Sequence, residues 1–399
     1  MNVTADIRKQ NTLKVLKTVI QTGITTKVNI AAQTGMTLMT VNTIINKLVE
    51  MNVLIECGNA ESDTGRKAML YAVNEQDFCI LGINIGIGTV AFAISNLLIE
   101  KKDIKKIEFS IKSKPDEVIG VIIRTLNDIM KQNDIKLENI IGLGVTVPGP
   151  VNSETGIIHS LPNLNGWEGI SLKTIFKEAL GVPVFVEKDN YASVLYTKSL
   201  LEIPYDNVVS LTIRGGIGTG ILLGEKIYRG NSGIAGEIGH ITIDNNGPRC
   251  NCGNYGCLEC YASDFSIINE VKEKKGNEKG RKEIIGNEPS IDDIIAAAKD
   301  GDELCCCIIM KAAEYLGLAV SNAIKMFDPA CFIINSKWID EVKGTSDVIT
   351  DMVNKKGSFI QHKNVLLIFH YEEDSYLMGA LSLVVSHLLE KTTENRLVS

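Results

Sequence analysis

Apolar residues recur at helical spacing early in the chain. Leu13, Leu16, Val19 and Ile20 share one face, and Gly23 ends that helix. A second short helix is predicted over 27–33, followed by a turn at Thr34-Gly35. Thr37 then caps a third helix with an apolar stripe of Val41, Ile44, Ile45, Leu48 and Met51. Two helices joined by a short Gly-bearing turn make a helix-turn-helix, whose third helix enters a major groove with its N-terminal residues foremost. Its outward positions are Met39, Thr40, Asn42, Thr43, Asn46 and Lys47, and Thr37 stands at its head. Val53-Leu54-Ile55-Glu56 and Met69-Leu70-Tyr71-Ala72-Val73 read as two strands, joined by a turn bearing Gly65-Arg66-Lys67. That hairpin is a wing whose Arg66 and Lys67 can reach phosphates. A small helical protein-interaction domain is the plainer alternative.

Beyond residue 75 the pattern changes to alternating strands and helices. A strand over 79–85, the turn Gly86-Ile87-Gly88-Thr89 and a strand over 90–95 are followed about 130 residues later by a strand over 208–213, Gly216-Ile217-Gly218-Thr219 and a strand over 220–223. Helices are expected over 117–131, 189–200, 302–326 and 375–390. The repeat predicts a duplicated α/β lobe, with two lobes enclosing a ligand cleft. Glycine hairpins let backbone amides approach phosphate, although a tight β-turn needs glycine for its own geometry.

Charge sharpens this division. The 399 residues carry 41 Lys+Arg and 48 Asp+Glu, a net charge of -7 that by itself argues against nucleic-acid binding. Residues 1–75 hold eight basic and six acidic side chains, for +2, and the remainder holds 33 and 42, for -9. A mildly basic head on an acidic body suits a DNA reader joined to another function. No unbroken apolar run reaches about 18 residues, so no membrane span is expected. The start, Met1-Asn2-Val3-Thr4-Ala5-Asp6, is too polar for a signal peptide, which points to the cytoplasm.

Ten cysteines are present, and four crowd residues 250–260. His240 precedes Cys250-Asn251-Cys252-Gly253-Asn254-Tyr255-Gly256-Cys257, and one imidazole with three thiolates completes a tetrahedral Zn²⁺ site. Four protein ligands close the coordination sphere, so the zinc is expected to be structural. Cys260 is left out of the set, and Cys305-Cys306-Cys307 faces three directions on a helix and is expected to pack.

Gly236-Glu237-Ile238-Gly239-His240, followed by the Cys-x-Cys-Gly-x-x-Gly-Cys-Leu-Glu run, resembles the signature of the ROK family of repressors, unassigned frames and sugar kinases. Pro162-Asn163-Leu164 with Gly166-Trp167 is similar to the family's sugar-side loop, and Glu187-Lys188-Asp189-Asn190 to its catalytic segment. The resemblance runs from about residue 78 to the end. The winged helix before it is similar to the repressor branch, which includes xylose repressors. It implies an α/β, actin-like (ribonuclease H-like) two-lobed ROK domain over 76–399, with a zinc loop at 240–257, behind a winged helix-turn-helix over 1–75. It also implies a sugar held by Asn163, Asp189, Glu237, His240 and Glu259. Carboxylates and amides suit hydroxyls, and His240 can give one ring nitrogen to zinc and the other to the sugar. An N-cap role for Asp189, and backbone binding at a turn for Glu237, stay open beside that reading.

The departures from the kinase pattern bear on catalysis. Asn84 stands where the kinases carry an Asp serving magnesium–ATP, Arg214-Gly215 replaces a Gly-Thr, Asn335-Ser336 replaces a Gly-Gly, and Lys188 replaces an Asn. An amide cannot supply the missing charge. Phosphoryl transfer is therefore expected to be lost, with no catalytic residue and Asp189 a vestigial base position. Lys188 and Arg214 are expected to neutralise charges around the disused site. The combined expectation is a sugar-responsive transcriptional regulator, a repressor of xylose- or glucose-type utilisation genes. Its partners would be operator DNA, a monosaccharide effector and a second copy of itself, as a homodimer or a tetramer. A sugar kinase with an added domain, and a DNA-bound regulator controlled by a protein partner, are the alternatives.

Overall fold

The computed structural model describes residues 3–60, 67–74, 79–99, 102–161, 164, 166–275, 288–356 and 365–394. Arg66 of the wing, Asn163 of the sugar-side loop and the domain boundary expected at 75/76 lie outside them. Two compact units divide the chain, Met1–Asp189 with Tyr376–Ser399, and Asn190–Ser375.

The first unit opens with α1 (Val3–Thr22), β1 (Thr25–Thr26), α2 (Lys27–Thr34), α3 (Leu38–Glu50), β2 (Leu54–Asn59) and β3 (Met69–Val73). The strands form an antiparallel sheet in the order β1-β3-β2. Each helix end has a local cause. Gly23, at φ 76°, donates its N–H to the Val19 carbonyl and closes α1. Thr26 accepts from the Asn29 N–H at the head of α2, Gly35 turns left-handed at its end, and Thr37 accepts from the Thr40 N–H at the head of α3. Val15, Leu16, Val19, Ile30, Val41, Ile45 and Leu48 fill the core between these helices. Ile44 and Met51 are only half-buried, so the buried stripe of α3 is narrower than the periodicity suggests.

The same unit continues through β4 (Cys79–Ile85), β5 (Thr89–Ser95), β6 (Lys102–Glu108), α4 (Pro115–Gln132), β7 (Ile140–Val147), α5 (Leu172–Leu180) and β8 (Val184–Lys188). The second comprises α6 (Asp189–Leu200, from its second residue), β9 (Val208–Ile213), β10 (Ile217–Leu223), β11 (Lys226–Ile227), α7 (Glu259–Ala262), α8 (Asp264–Lys275), α9 (Ile291–Lys299), α10 (Glu303–Phe327), β12 (Cys331–Asn335), α11 (Lys337–Glu341), α12 (Thr345–Lys356) and β13 (Leu366–Phe369). Helix α13 (Ser375–Glu394) then belongs to the first unit from Tyr376 onward. It packs on the first sheet where side chains are absent: a Cβ on Gly144 would lie 1.8 Å from the Ala380 carbonyl oxygen.

The two five-stranded sheets share one topology. Their orders are β6-β5-β4-β7-β8 and β11-β10-β9-β12-β13, each with an antiparallel meander followed by two parallel strands. The duplication read from the repeated tetrapeptide is thus a duplication of architecture, but its register differs. Gly86–Thr89 is the turn itself, since Ile85 pairs with Val90 and the Gly86 N–H bonds the Thr89 carbonyl. In the second copy Ile213 pairs with Ile217, so Arg214-Gly215-Gly216 makes the turn and Ile217-Gly218-Thr219 already belongs to β10. The strand expected over 220–223 therefore begins three residues earlier. Packing explains it: a Cβ on Gly218 or Gly220 would lie 1.9 or 2.1 Å from atoms of Asn190, so these glycines admit α6 against the strand.

By length and composition α10 could cross a membrane, although it holds no unbroken apolar run of about 18 residues. Its apolar residues, among them Ile308, Ile309, Leu316 and Val320, are packed into the core with Phe332, Ile334 and Trp338. It is the central core helix of the second unit, and its cysteines face different surroundings: Cys305 is buried and Cys306 half-buried, whereas Cys307, expected to pack, is exposed. All ten cysteines are free thiols.

Candidate functional site

Helix α3 presents the first candidate surface. Met39 is 82% exposed, Thr37, Asn42, Thr43 and Asn46 are exposed, and Thr40 and Lys47 are half-buried. Thr43 turns its hydroxyl back to the Met39 carbonyl at 3.0 Å, and the Thr37 and Thr40 hydroxyls pair at 2.9 Å. Asn42 and Asn46 lie four residues apart on one face. Both accept a hydrogen bond from Lys27 Nζ at 2.6 Å, and that ammonium stands 5.0 Å from the centroid of the Tyr71 ring. Sequence reading missed Lys27, because its partners are 15 and 19 residues away. On the wing, Lys67 is exposed.

The second candidate is a donor cluster that a metal ion could use. A ring nitrogen of His240 and the Sγ atoms of Cys250, Cys252 and Cys257 all lie within 4.8 Å of one another. The Cys250–His240 and Cys252–Cys257 separations are both 3.7 Å. Thiolates bound at about 2.3 Å in a tetrahedron sit roughly 3.8 Å apart, so the spacing already fits a small tetrahedral cation. Local backbone builds this arrangement. His240 ends a short 3₁₀ turn (Ile238–His240) seated on β10, where a Cβ on Gly239 would lie 2.3 Å from the Ile217 carbonyl oxygen. Gly256, at φ 64°, folds the loop back so that Thr242 bridges Cys257 and Arg249 bridges Tyr255. Burial, together with hydrogen bonds to Cys252 and Cys250, pushes the Cys257 thiol up to about 12. Three thiols this close resist joint ionisation, and a bound cation removes that cost. Cys260 falls outside this group of four, although its thiol interacts with Cys250.

Two of the expected sugar ligands, Glu237 and Glu259, stand on either side of this loop in the chain. Glu237 is half-buried immediately before the 3₁₀ turn. Half-buried Glu259, at the head of α7, accepts the Ile217 N–H at 2.9 Å through Oε2. His240 aims Nδ1 at Cys250, which turns Nε2 away from the cluster. Asp189 is buried as the first residue of α6. Trp167 is fully packed in the core of its unit.

The departures from the kinase pattern have acquired structural partners. Asn84 donates to Thr146 Oγ1 at 3.1 Å. Arg214 donates through Nη2 to the Glu372 and Glu373 carbonyls at 2.8 and 2.6 Å, and lies over the Tyr371 ring. Asn335 Nδ2 reaches Ser375 Oγ at 3.2 Å, and its Oδ1 accepts the Glu372 N–H at 3.1 Å. Arg214 thus serves backbone carbonyls of its own unit. Beside it, burial pushes the Asp264 carboxyl up to about 6 against the pull of Arg214 and Lys337. Lys188 is only 4% exposed.

The ROK family pattern matches residues 80–387, and a winged helix-turn-helix DNA-binding pattern matches residues 8–55. The chain belongs to the ROK family. It is 26% identical over 390 residues to the xylose repressor of Caldicellulosiruptor bescii, covering 96% of this chain and 97% of that one. A crystal structure of a ROK family transcriptional regulator, described as a homolog of the E. coli MLC protein, superimposes with a TM-score of 0.81 at 28% identity, over 97% and 98% of the two chains. A ROK family glucokinase from Streptomyces griseus, solved with glucose and AMPPNP, matches with a TM-score of 0.64 at 22% identity, over 76% of this chain and 98% of that one. The last likeness fixes the fold of the body, the actin-like sugar-kinase fold, and ends short of the full chain.

Proposed function

We propose that this protein is a sugar-responsive transcriptional repressor of carbohydrate-utilisation genes, xylose- or glucose-type, acting in the cytoplasm. The observation that carries this is the joining in one chain of a winged helix with an exposed recognition helix to a ROK body, an arrangement that its repressor relatives share along their whole length. Operator contacts fall to Thr37, Met39, Thr40, Asn42, Thr43, Asn46 and Lys47 of the recognition helix and to Arg66 and Lys67 of the wing. A net charge of only +2 on the head requires two heads for adequate affinity, hence a homodimer, or a tetramer built from it.

The metal is zinc, held by His240, Cys250, Cys252 and Cys257. One imidazole and three thiolates form the donor set of a closed structural site, which fixes the loop and supplies no open position for catalysis. With Nδ1 given to the metal, His240 offers Nε2 to a sugar hydroxyl, and the metal orients that ring. Glu237 and Glu259 accept further hydroxyls, and the family resemblance assigns Asn163 and Asp189 to the same task. Phosphoryl transfer has no part in this reading, because Asn84, Lys188, Arg214-Gly215 and Asn335-Ser336 have left the kinase pattern.

Sugar binding shifts the balance between conformations of the body and thereby changes operator affinity. A thermal-shift screen of the full chain against xylose, glucose and other monosaccharides tests the effector. One sugar raises the melting temperature in a concentration-dependent way, and Glu259→Ala abolishes that rise. Equal melting temperatures across the panel would reject sugar binding.

A further inference from the structure

We propose that Lys27 sets the base preference of the recognition helix by turning Asn42 and Asn46 so that their amide N–H groups lead into the groove. The proposal rests on the DNA-reading role of α3. Lys27 opens α2, the helix before the recognition helix, and its Nζ lies 2.6 Å from Oδ1 of both asparagines. An ammonium has three donors and no acceptor, so only the carbonyl oxygens of these side chains can face it. The Nδ2 groups must then stand on the opposite edges of both carboxamides. The cation is itself held in place, since the buried Tyr71 of β3 presents its ring face 5.0 Å away. Groups from three separate elements therefore fix one polar cluster on an otherwise exposed surface.

This orientation has a chemical consequence. Free asparagine reads adenine with two bonds, Oδ1 accepting from N6–H and Nδ2 donating to N7. With Oδ1 drawn to Lys27, the outward groups are donors, and the base edge that meets donors with two acceptors is that of guanine, O6 and N7. The neighbouring hydroxyls do not compete: Thr43 is bonded to the Met39 carbonyl and Thr40 pairs with Thr37. Lys27 is in this reading a positioning residue. Two of its three N–H groups are committed to the asparagines, and the salt dependence of binding tests whether the third serves a phosphate.

The test uses the full-length protein and a randomised DNA duplex library, with bound sequences enriched over several rounds. The wild-type chain enriches sites carrying guanines at two positions per half-site. Replacing those guanines by 7-deazaguanine, which lacks the N7 acceptor, weakens binding by about tenfold. Lys27→Met loses the guanine preference and responds to the replacement by less than about twofold, while the slope of log affinity against log salt changes by less than the roughly 0.9 that one phosphate contact contributes. Lys27→Leu, which also lacks a donor, provides the same readout should Lys27→Met fail to fold, as judged by circular dichroism. If Lys27→Met enriches the same sites with the same sensitivity to 7-deazaguanine, or loses a full phosphate contact in its salt slope while keeping its base preference, the proposal is overturned. A wild-type chain that enriches no sequence removes the DNA-reading role itself, and the positioning role with it.

Discussion

The two five-stranded sheets run their strands in the same order, yet their Gly-Ile-Gly-Thr segments are used differently. In the first, the glycines make a turn: Gly88 sits at φ 75°, and a Cβ there would meet nothing closer than 3.5 Å. In the second, Gly218 lies in the strand and is pressed onto Asn190, while Gly216 joins Arg214-Gly215 in the turn and lies against Glu259. The second hairpin is also tied down by Glu259 at the Ile217 N–H and by Arg214 at the 372–373 carbonyls. The same strand–turn–strand is a plain turn in one unit and a fixed structural joint in the other. Equal sequence in equal topology therefore does not imply equal function.

The largest test of that contrast is the metal cluster, which only the second unit carries among the described residues. Cys257→Ser or exhaustive chelation should release one zinc per chain and lower the melting temperature by about 10 °C, because structural zinc contributes folding free energy outright. Calorimetry with metal analysis checks it, and an unchanged melting temperature after zinc loss would show that the loop stands without the ion.

Asp264 comes next. Its carboxyl titrates near 6 in the folded chain against 3.8 for the ordinary value, so between those limits the folded state holds the extra proton. Stability from this group is therefore greatest below pH 4 and falls by about 3 kcal/mol as pH rises through 6. Urea unfolding at pH 4 and pH 7 should show Asp264→Asn lacking that decline. Identical pH dependence in the variant and the parent would reject the buried, Arg214-flanked environment.

A direct comparison of the hairpins follows. Gly218→Ala places a methyl 1.9 Å from Asn190 Nδ2 and should destabilise by about 3 kcal/mol, as overpacking does. Gly88→Ala makes only ordinary contacts, 3.5 Å from the Phe109 carbonyl oxygen, and should cost about 1 kcal/mol, from its left-handed backbone. Chemical denaturation measures both, and equal losses would erase the distinction between turn and joint. A loss of similar size, about 1 kcal/mol, is expected from Asn84→Asp, because the carboxylate no longer donates to Thr146 Oγ1, whose one proton already serves the Ile83 and Tyr376 carbonyls. The same variant should also create no sugar-dependent ATP hydrolysis, since Arg214 and Asn335 remain bonded to 372–375.

Much of this organisation is legible in the sequence because its causes are local. The Thr37 cap, the Gly23 stop and the β2–β3 wing depend on residues a few positions apart, and the cysteine loop carries its ligand spacing within 18 residues. What the sequence leaves hidden depends on distant partners. Nothing near Gly218 reveals that Asn190 needs its space, and nothing near Arg214 reveals carbonyls 158 residues away. Lys27 looks like one more surface cation until Asn42, Asn46 and Tyr71 are folded around it. Glycine in particular reads as a turn signal whether it serves a turn or a close contact.

Repression controlled by a sugar is most directly tested by operator binding itself. The full-length chain, titrated against its library-enriched duplex in fluorescence anisotropy, should show a dissociation constant that changes by about tenfold or more with one monosaccharide of the panel. In Glu259→Ala, operator affinity without sugar should persist and that sugar dependence should vanish. Tight, sequence-specific binding that every monosaccharide leaves unchanged would contradict the account.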